Sequence, residues 1–241
     1  MEEEKGHSES TKSMFQKTKI IQNPYKEIAE KQNGFFNFSF PASLEWLQKQ
    51  GRILFGNHFT IFEDDHELIY KLLVYAIGDF ENTSRHNLSL KKGILMNGPV
   101  GCGKTSLMTL IKAFFPEQKQ YTLKSVREIP FEFEKEGFKV IHRYSNLAFC
   151  NSPYSGTNKA FCFDDLGIEQ PIKYFGNQCN VMAEILLSRY DLFIQKGVLT
   201  HITTNLSASE LESMYGSRVR SRMREMFNLV AFERNTKDKR V

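Results

Sequence analysis

The eight residues Gly98-Pro-Val-Gly101-Cys-Gly103-Lys104-Thr105 constrain this chain more than any other stretch. They match the spacing G-x-x-x-x-G-K-[ST], and they follow a short apolar run, Gly93 to Met96, and lead into a helical pattern from Lys104 to Phe115. Strand, glycine-rich turn and helix are the context that gives the spacing chemical meaning. The glycines let backbone N–H groups converge on phosphate oxygens with no Cβ in the way, and the following helix adds the positive end of its dipole. Gly98, Pro99, Val100, Gly101, Cys102, Gly103, Lys104, Thr105 and Ser106 are therefore candidate nucleotide-binding residues. Lys104 would reach the β- and γ-phosphates, and the Thr105 hydroxyl would ligate Mg²⁺.

A second element fits the first. Phe161-Cys-Phe-Asp164-Asp165-Leu-Gly167 is an apolar strand ending in two carboxylates, about sixty residues further on. Neighbours on a strand point in opposite directions, so two adjacent acids can divide the work. Asp164 is the expected Mg²⁺-side ligand, mostly through water, and Asp165 the expected base that polarises an attacking water. Glu169 is a weaker rival for the base. A third strand, Val198 to Thr204, ends in Thr203, Thr204 and Asn205. A polar group there would lie between the phosphate loop and the acidic strand, and Asn205 is the expected contact to γ-phosphate and water; the alternative is an Asn capping a helix from Ser207.

Short apolar runs alternate with longer helical patterns: Gly93–Met96 then Lys104–Phe115, Phe161–Phe163 then Asn177–Gln195, Val198–Thr203 then Ser207–Tyr215. That alternation implies an α/β fold, a parallel sheet covered by helices on both faces. Ahead of it, Glu67 to Phe80 has amphipathic helix periodicity. Residues 24–65 are rich in aromatics, with a short helix entered through an N-cap at Ser43. They would pack on the main domain or present an apolar face to a partner. Residues 1–23 are polar and charge-mixed and are expected to be a flexible leader. The main domain is expected over 66–235, with a basic tail over 236–241.

With 241 residues, 41% of them hydrophobic, the chain can bury a real core. No run approaches the ~18–20 apolar residues of a membrane span, and the acidic start MEEEKGHSES is unlike a secretory signal, which predicts a soluble, cytoplasmic protein. Cysteines at 102, 150, 162 and 179 have no C-x-x-C spacing and read as isolated buried thiols. The net charge is +4, and residues 216–241 carry eight Lys or Arg against three acids. The basic excess thus sits at the C-terminal end, as solvated charge or as a contact to the phosphates of nucleic acid or of a nucleotide.

With GPVGCGKT, FDDLGIE, KYFGNQCNVMAEILLSRY, ITTNL and YGSRVRSRM in place, the sequence resembles the DnaC/IstB group of AAA+ ATPases, the helicase loaders and transposition helpers, over roughly residues 65–235. The resemblance implies an AAA+ type P-loop NTPase that binds and hydrolyses ATP with Mg²⁺ between subunits of a homo-oligomer. DNA, and a replicative helicase, transposase or other protein, are the implied partners. By the same resemblance Arg222 is the arginine finger that completes a neighbour's site, with Arg218 beside it as a second nucleotide contact. The chain ends about fifteen residues after Phe227, so a full helical lid with an arginine sensor is not expected. Two other functions use the same loop. A small-molecule kinase needs a basic lid in the same subunit, which residues 119–160 do not offer. An ATP-dependent adaptor with little hydrolysis would bind its partner through the aromatic segment. A GTPase is disfavoured, because Asn158-Lys159-Ala160-Phe161 lacks the acid of the guanine-reading motif.

Overall fold

The computed structural model describes residues 23–146, 159–170, 172–174 and 177–240. Residues 1–22 of the leader, and residues 147–158 with Cys150, lie outside the described residues. Helix α1, Pro24–Glu27, is the first described element, and strands β1, Ala29–Gln32, and β2, Phe35–Phe38, form an antiparallel hairpin. Its turn is Asn33-Gly34, both at positive φ, the pair that suits a two-residue hairpin. Helix α2, Phe40–Phe55, begins with a proline in its first turn after Ser39. Ser43 is therefore not the cap: it lies inside the helix, and its hydroxyl donates back to Ser39 O at 2.9 Å.

This N-terminal part packs on the main domain. Trp46 and Leu47 are buried, the Trp46 ring meets Phe114 edge-on at 5.1 Å, and Tyr25 OH donates to Phe114 O at 2.6 Å. Helix α3, His66–Ile77, buries Leu68, Ile69, Leu72 and Leu73. It stops earlier than the periodicity predicts, because Gly78 takes a left-handed conformation and Asp79 caps a separate helix α4, Phe80–Arg85.

The central sheet is built from β3, Gly93–Asn97; β4, Tyr121–Ser125; β5, Ala160–Leu166; β8, Thr200–Thr204; and β9, Phe227–Ala231. Their order is β4-β5-β8-β3-β9, and every pairing is parallel. One face is covered by α2, α3 and α5, Lys104–Ile111; the other by α6, Glu128–Glu136, α7, Lys139–Tyr144, α8, Val181–Lys196, and α9, Ala208–Met226. The α/β expectation is met. Among the described residues no helix is long and apolar enough to cross a membrane. One helical expectation is corrected. Residues 177–179 form β7, paired with β6, Ile172–Tyr174, so α8 starts only after Asn180, whose side chain accepts from Ala183 N. The helix expected over Ser207–Tyr215 is capped by Ser207 and reaches a break at Gly216 (φ 85°, ψ 159°), beyond which α9 continues to Met226.

Within 121–146, β4 is an edge strand and α6 and α7 are its cover. Lys124 and Arg143 are bound to Glu128, Glu132 and Glu136, so much of the positive charge on this surface is already paired. Where β8 enters the sheet, Arg189 of α8 is fully buried. It donates to Thr200 Oγ1 (2.5 Å), Leu199 O (2.8 Å) and Tyr144 O (2.9 Å), and its guanidinium lies over Phe161 and Phe163. Burial lowers its pKa to about 9. Next to it, His201 is buried against Tyr121 and Phe115 with its pKa pushed down to about 3, so the ring is neutral and its Nδ1 accepts from Ile94 N. Truncating Arg189 leaves four oxygens, those three and Lys159 O, without this donor and opens a cavity. Arg189→Ala is expected to cost about 3–5 kcal/mol, read as a fall in the urea midpoint at unchanged slope.

Candidate functional site

The order of the strands decides which side chains meet. Strand β8 lies between the phosphate-loop strand β3 and the acidic strand β5, so its end faces both. Gly93 permits this neighbour, since a Cβ there would overlap Thr200 O. Along β5 the pairing to β8 runs Phe163↔Ile202 and then Leu166↔Thr204, which puts one extra residue in β5 at the two acids. The bulge is why Asp165 sits at φ 59°, a conformation a non-glycine residue rarely adopts. It turns the adjacent carboxylates onto different surroundings.

Asp164 points inward and is buried. Thr105 Oγ1, in the first turn of α5, lies 3.0 Å from each of its carboxylate oxygens, and Thr203 Oγ1 of β8 donates to Oδ1 at 2.7 Å. Thr203 Oγ1 also accepts from the N–H of Asp165 at 2.8 Å, which fixes the bulge. Burial raises the pKa of Asp164, the hydrogen bond from Thr203 opposes that, and the charge of Asp165 adds to it. Asp165 is half-buried and lines the same cavity as residues 101–107 of the loop and helix. Glu169 is bound elsewhere: one carboxylate oxygen accepts from Gly167 N at 2.9 Å and the other from Tyr215 OH, and burial pushes its pKa up. It holds the turn after β5 to α9.

Lys104 is buried, and its ammonium donates to Gly98 O (2.9 Å) and Pro99 O (2.8 Å), closing the loop on itself. Gly101 and Gly103 stand at φ 80° and 100°. Cys102 is buried, and burial pushes its thiol pKa up, away from thiolate chemistry. Thr105 and Asp164 offer hard oxygens in contact with one another. That donor set fits Mg²⁺, which is held by one or two protein oxygens together with phosphate oxygens and water.

Asn205 is exposed, one residue beyond β8, and lines a neighbouring groove with Pro99, Leu206 and Arg220. The β8 side chain in contact with Asp164 is Thr203. Arg222 and Arg218 do not line the phosphate cavity of their own chain. Arg222 lies over the ring of Tyr190, 4.3 Å from its centroid, and donates to its hydroxyl at 3.0 Å; Arg218 is exposed.

One part of the site was not anticipated from the sequence, and a second was anticipated only as basic charge, solvated or in contact with phosphate. Phe55, Phe59, Thr60 and Ile61 form a further wall of the cavity, held by Gln48, which donates to Phe59 O (2.5 Å) and accepts from Ile61 N (2.7 Å). The aromatic cluster gave a signal, but apolar residues read equally as core. The second part is the segment after β9, which brings Lys239 and Arg240 to the same cavity. No motif marks it.

Fold and site together define a five-stranded parallel α/β domain of P-loop architecture, with the glycine-rich loop between β3 and α5. Among solved structures the chain is similar to a protein described as a primosome component from Streptococcus pyogenes serotype M3, at 18% identity over 73% of this chain and 83% of that one, with a TM-score of 0.50. It is also similar to a DnaC helicase loader (18% identity, 73% and 93% coverage, TM-score 0.46) and to AMPPCP-bound DnaA from Aquifex aeolicus (16%, 73% and 48%, 0.47). At such identities the likeness is one of fold. No protein-family model matches the chain, and no curated protein matches its sequence.

The raised pKa of Asp164 has a stability consequence with a definite sign. The folded protein keeps a proton that the unfolded chain has released, so stability falls as pH rises from the ordinary carboxylate value through the raised one. Asn keeps the acceptor without the charge. Asp164→Asn is expected to gain stability over wild type as pH rises above the ordinary carboxylate range, read as a higher urea midpoint for the ligand-free protein.

Proposed function

We propose that this chain is an ATPase that binds ATP with Mg²⁺, hydrolyses it at a site completed by a neighbouring copy, and uses the cycle to control assembly on DNA or delivery of a protein partner. The observation that carries this reading is the clasp of Thr105 and Thr203 on buried Asp164, with Asp165 turned by the bulge toward the cavity of the phosphate loop.

In this reading the amides of Gly101 to Thr105 and the ammonium of Lys104 hold the phosphates, exchanging the loop's own carbonyls for phosphate oxygens. Thr105 and Asp164 hold Mg²⁺, which when bound neutralises charge on the β- and γ-phosphates. Asp165 accepts the proton of the attacking water, and Asn205 orients that water and the γ-phosphate. Arg222 serves the neighbour's nucleotide. Its guanidinium is preorganised by Tyr190 and Glu225 away from its own loop, as a group acting in trans requires. Bases for a DNA contact are Arg220, Arg224 and Arg234, which converge on one groove. The description of one similar structure as a primosome component favours a replication partner over a transposase.

The test is ATP hydrolysis per chain across a range of protein concentrations, with and without single- and double-stranded DNA, for wild type and Arg222→Ala. The specific rate is expected to climb with concentration and with DNA, and to fall by about a thousandfold in the variant while ATP still binds. A rate flat in concentration and unaffected by the substitution would instead point to a self-contained site, as in a small-molecule kinase. ATP-dependent partner binding that survives Asp165→Asn would point to an adaptor.

A further inference from the structure

Beyond β9 the chain does not leave the domain. Phe232 N donates to Asn97 O at 2.8 Å, and its buried ring sits against Gly98, where a Cβ would overlap it. The chain turns at Glu233–Thr236 and comes back over the phosphate loop. There Lys239 N donates to Gly101 O at 3.0 Å, and the Asp238 carboxylate lies against Gly101, in the space a side chain would fill. The Lys239 ammonium is paired with buried Asp65, ahead of α3, and stands 4.9 Å from the centre of the Phe232 ring. The segment is thus pinned at two places, one of them an ion pair shielded from water on both sides.

What the pin presents to the loop is a pair of opposite charges. The N–H of Arg240 donates to Asp238 Oδ1 at 3.0 Å, and its guanidinium Nε lies 4.0 Å from the same oxygen. The guanidinium is largely exposed and lines the cavity of Lys104 and Thr105. A polyphosphate in that loop would repel the Asp238 carboxylate and outbid it for Arg240, since guanidinium binds phosphate oxygens in the same forked geometry it uses for carboxylates.

We propose that residues 232–240 are a strap belonging to the nucleotide site of the same chain, with Arg240 its phosphate-binding cation and Asp238 the carboxylate that holds Arg240 until phosphate replaces it. This inference rests on the nucleotide-binding reading above and adds to it the residues that set affinity by phosphate number. Lys239 is the positioning residue, acting through Asp65. Of the basic charge near the end of the sequence, Arg240 is in this account a nucleotide contact supplied in cis.

The test is equilibrium binding of AMP, ADP and ATP to the full chain, wild type against Arg240→Ala and Asp238→Asn, with thermal unfolding to establish that both variants are folded. Arg240→Ala is expected to weaken ATP about tenfold, ADP less, and AMP hardly at all. Asp238→Asn is expected to tighten ATP about threefold or more, because it removes a like charge from the loop. Wild-type ATP affinity in the Arg240 variant, or an equal loss for all three nucleotides, would overturn the strap while leaving the nucleotide site standing. A wild-type protein that binds no nucleotide would overturn both readings.

Discussion

One buried carboxylate organises this molecule. Asp164 stands in the sheet with little water to share its charge, and two hydroxyls from two other segments close on it. Each hydroxyl is in place for a reason that lies in the backbone. Thr105 is there because the glycine-rich turn delivers it at the start of α5, and Thr203 because β8 is threaded between β3 and β5. The bulge in β5 follows from the same clasp, since Thr203 accepts from the Asp165 N–H and turns Asp165 outward. A buried charge satisfied only by neutral donors opposes folding. In the proposed function that cost is offset when a cation binds beside Asp164.

Outside that centre the site is assembled from pieces far apart in the chain. Gln48 of α2 clamps the 59–61 wall, Asp65 anchors the strap, and the strap lies across the loop. None of these belongs to the sheet: the 59–61 wall is held by the Gln48 side chain, and the strap by the Lys239–Asp65 pair and by backbone bonds to Asn97 and Gly101. Shifting α2 or the residues after β9 would change the cavity without disturbing the Asp164 clasp. Arg222 faces the other way, onto α8, and its stacking on Tyr190 spares it from competing for its own loop.

Much of the fold was legible in the sequence, because its strongest signals are local. The loop spacing fixes strand, turn and helix together, and alternating apolar runs give the parallel sheet. The misreadings were local too. Ser43 resembles a cap until Pro41 is seen to require an earlier start. Gly78 ends a helix whose apolar period continues through it, and the 172–179 hairpin has no period long enough to register. At the site, the residue types and spacings that phosphate and cation chemistry would require singled out Lys104, Thr105, Asp164 and Asp165, which the fold brings together. Thr203 was passed over for Asn205, and the strap was read only as basic charge, solvated or in contact with phosphate. Which of three consecutive polar residues meets Asp164 depends on strand register, and no short pattern tells an exposed basic tail from one pinned by a buried aspartate 174 residues away in sequence.

The central claim is that the clasp on Asp164 is a site for magnesium nucleotide. Titration calorimetry of ATP into the wild-type chain, with Mg²⁺ and then with a chelator, tests it most directly, with Lys104→Ala as the comparison. The account predicts one nucleotide per chain, affinity that drops when Mg²⁺ is removed, and loss of binding in the variant. Binding indifferent to both Mg²⁺ and Lys104, or no binding at all, would contradict it.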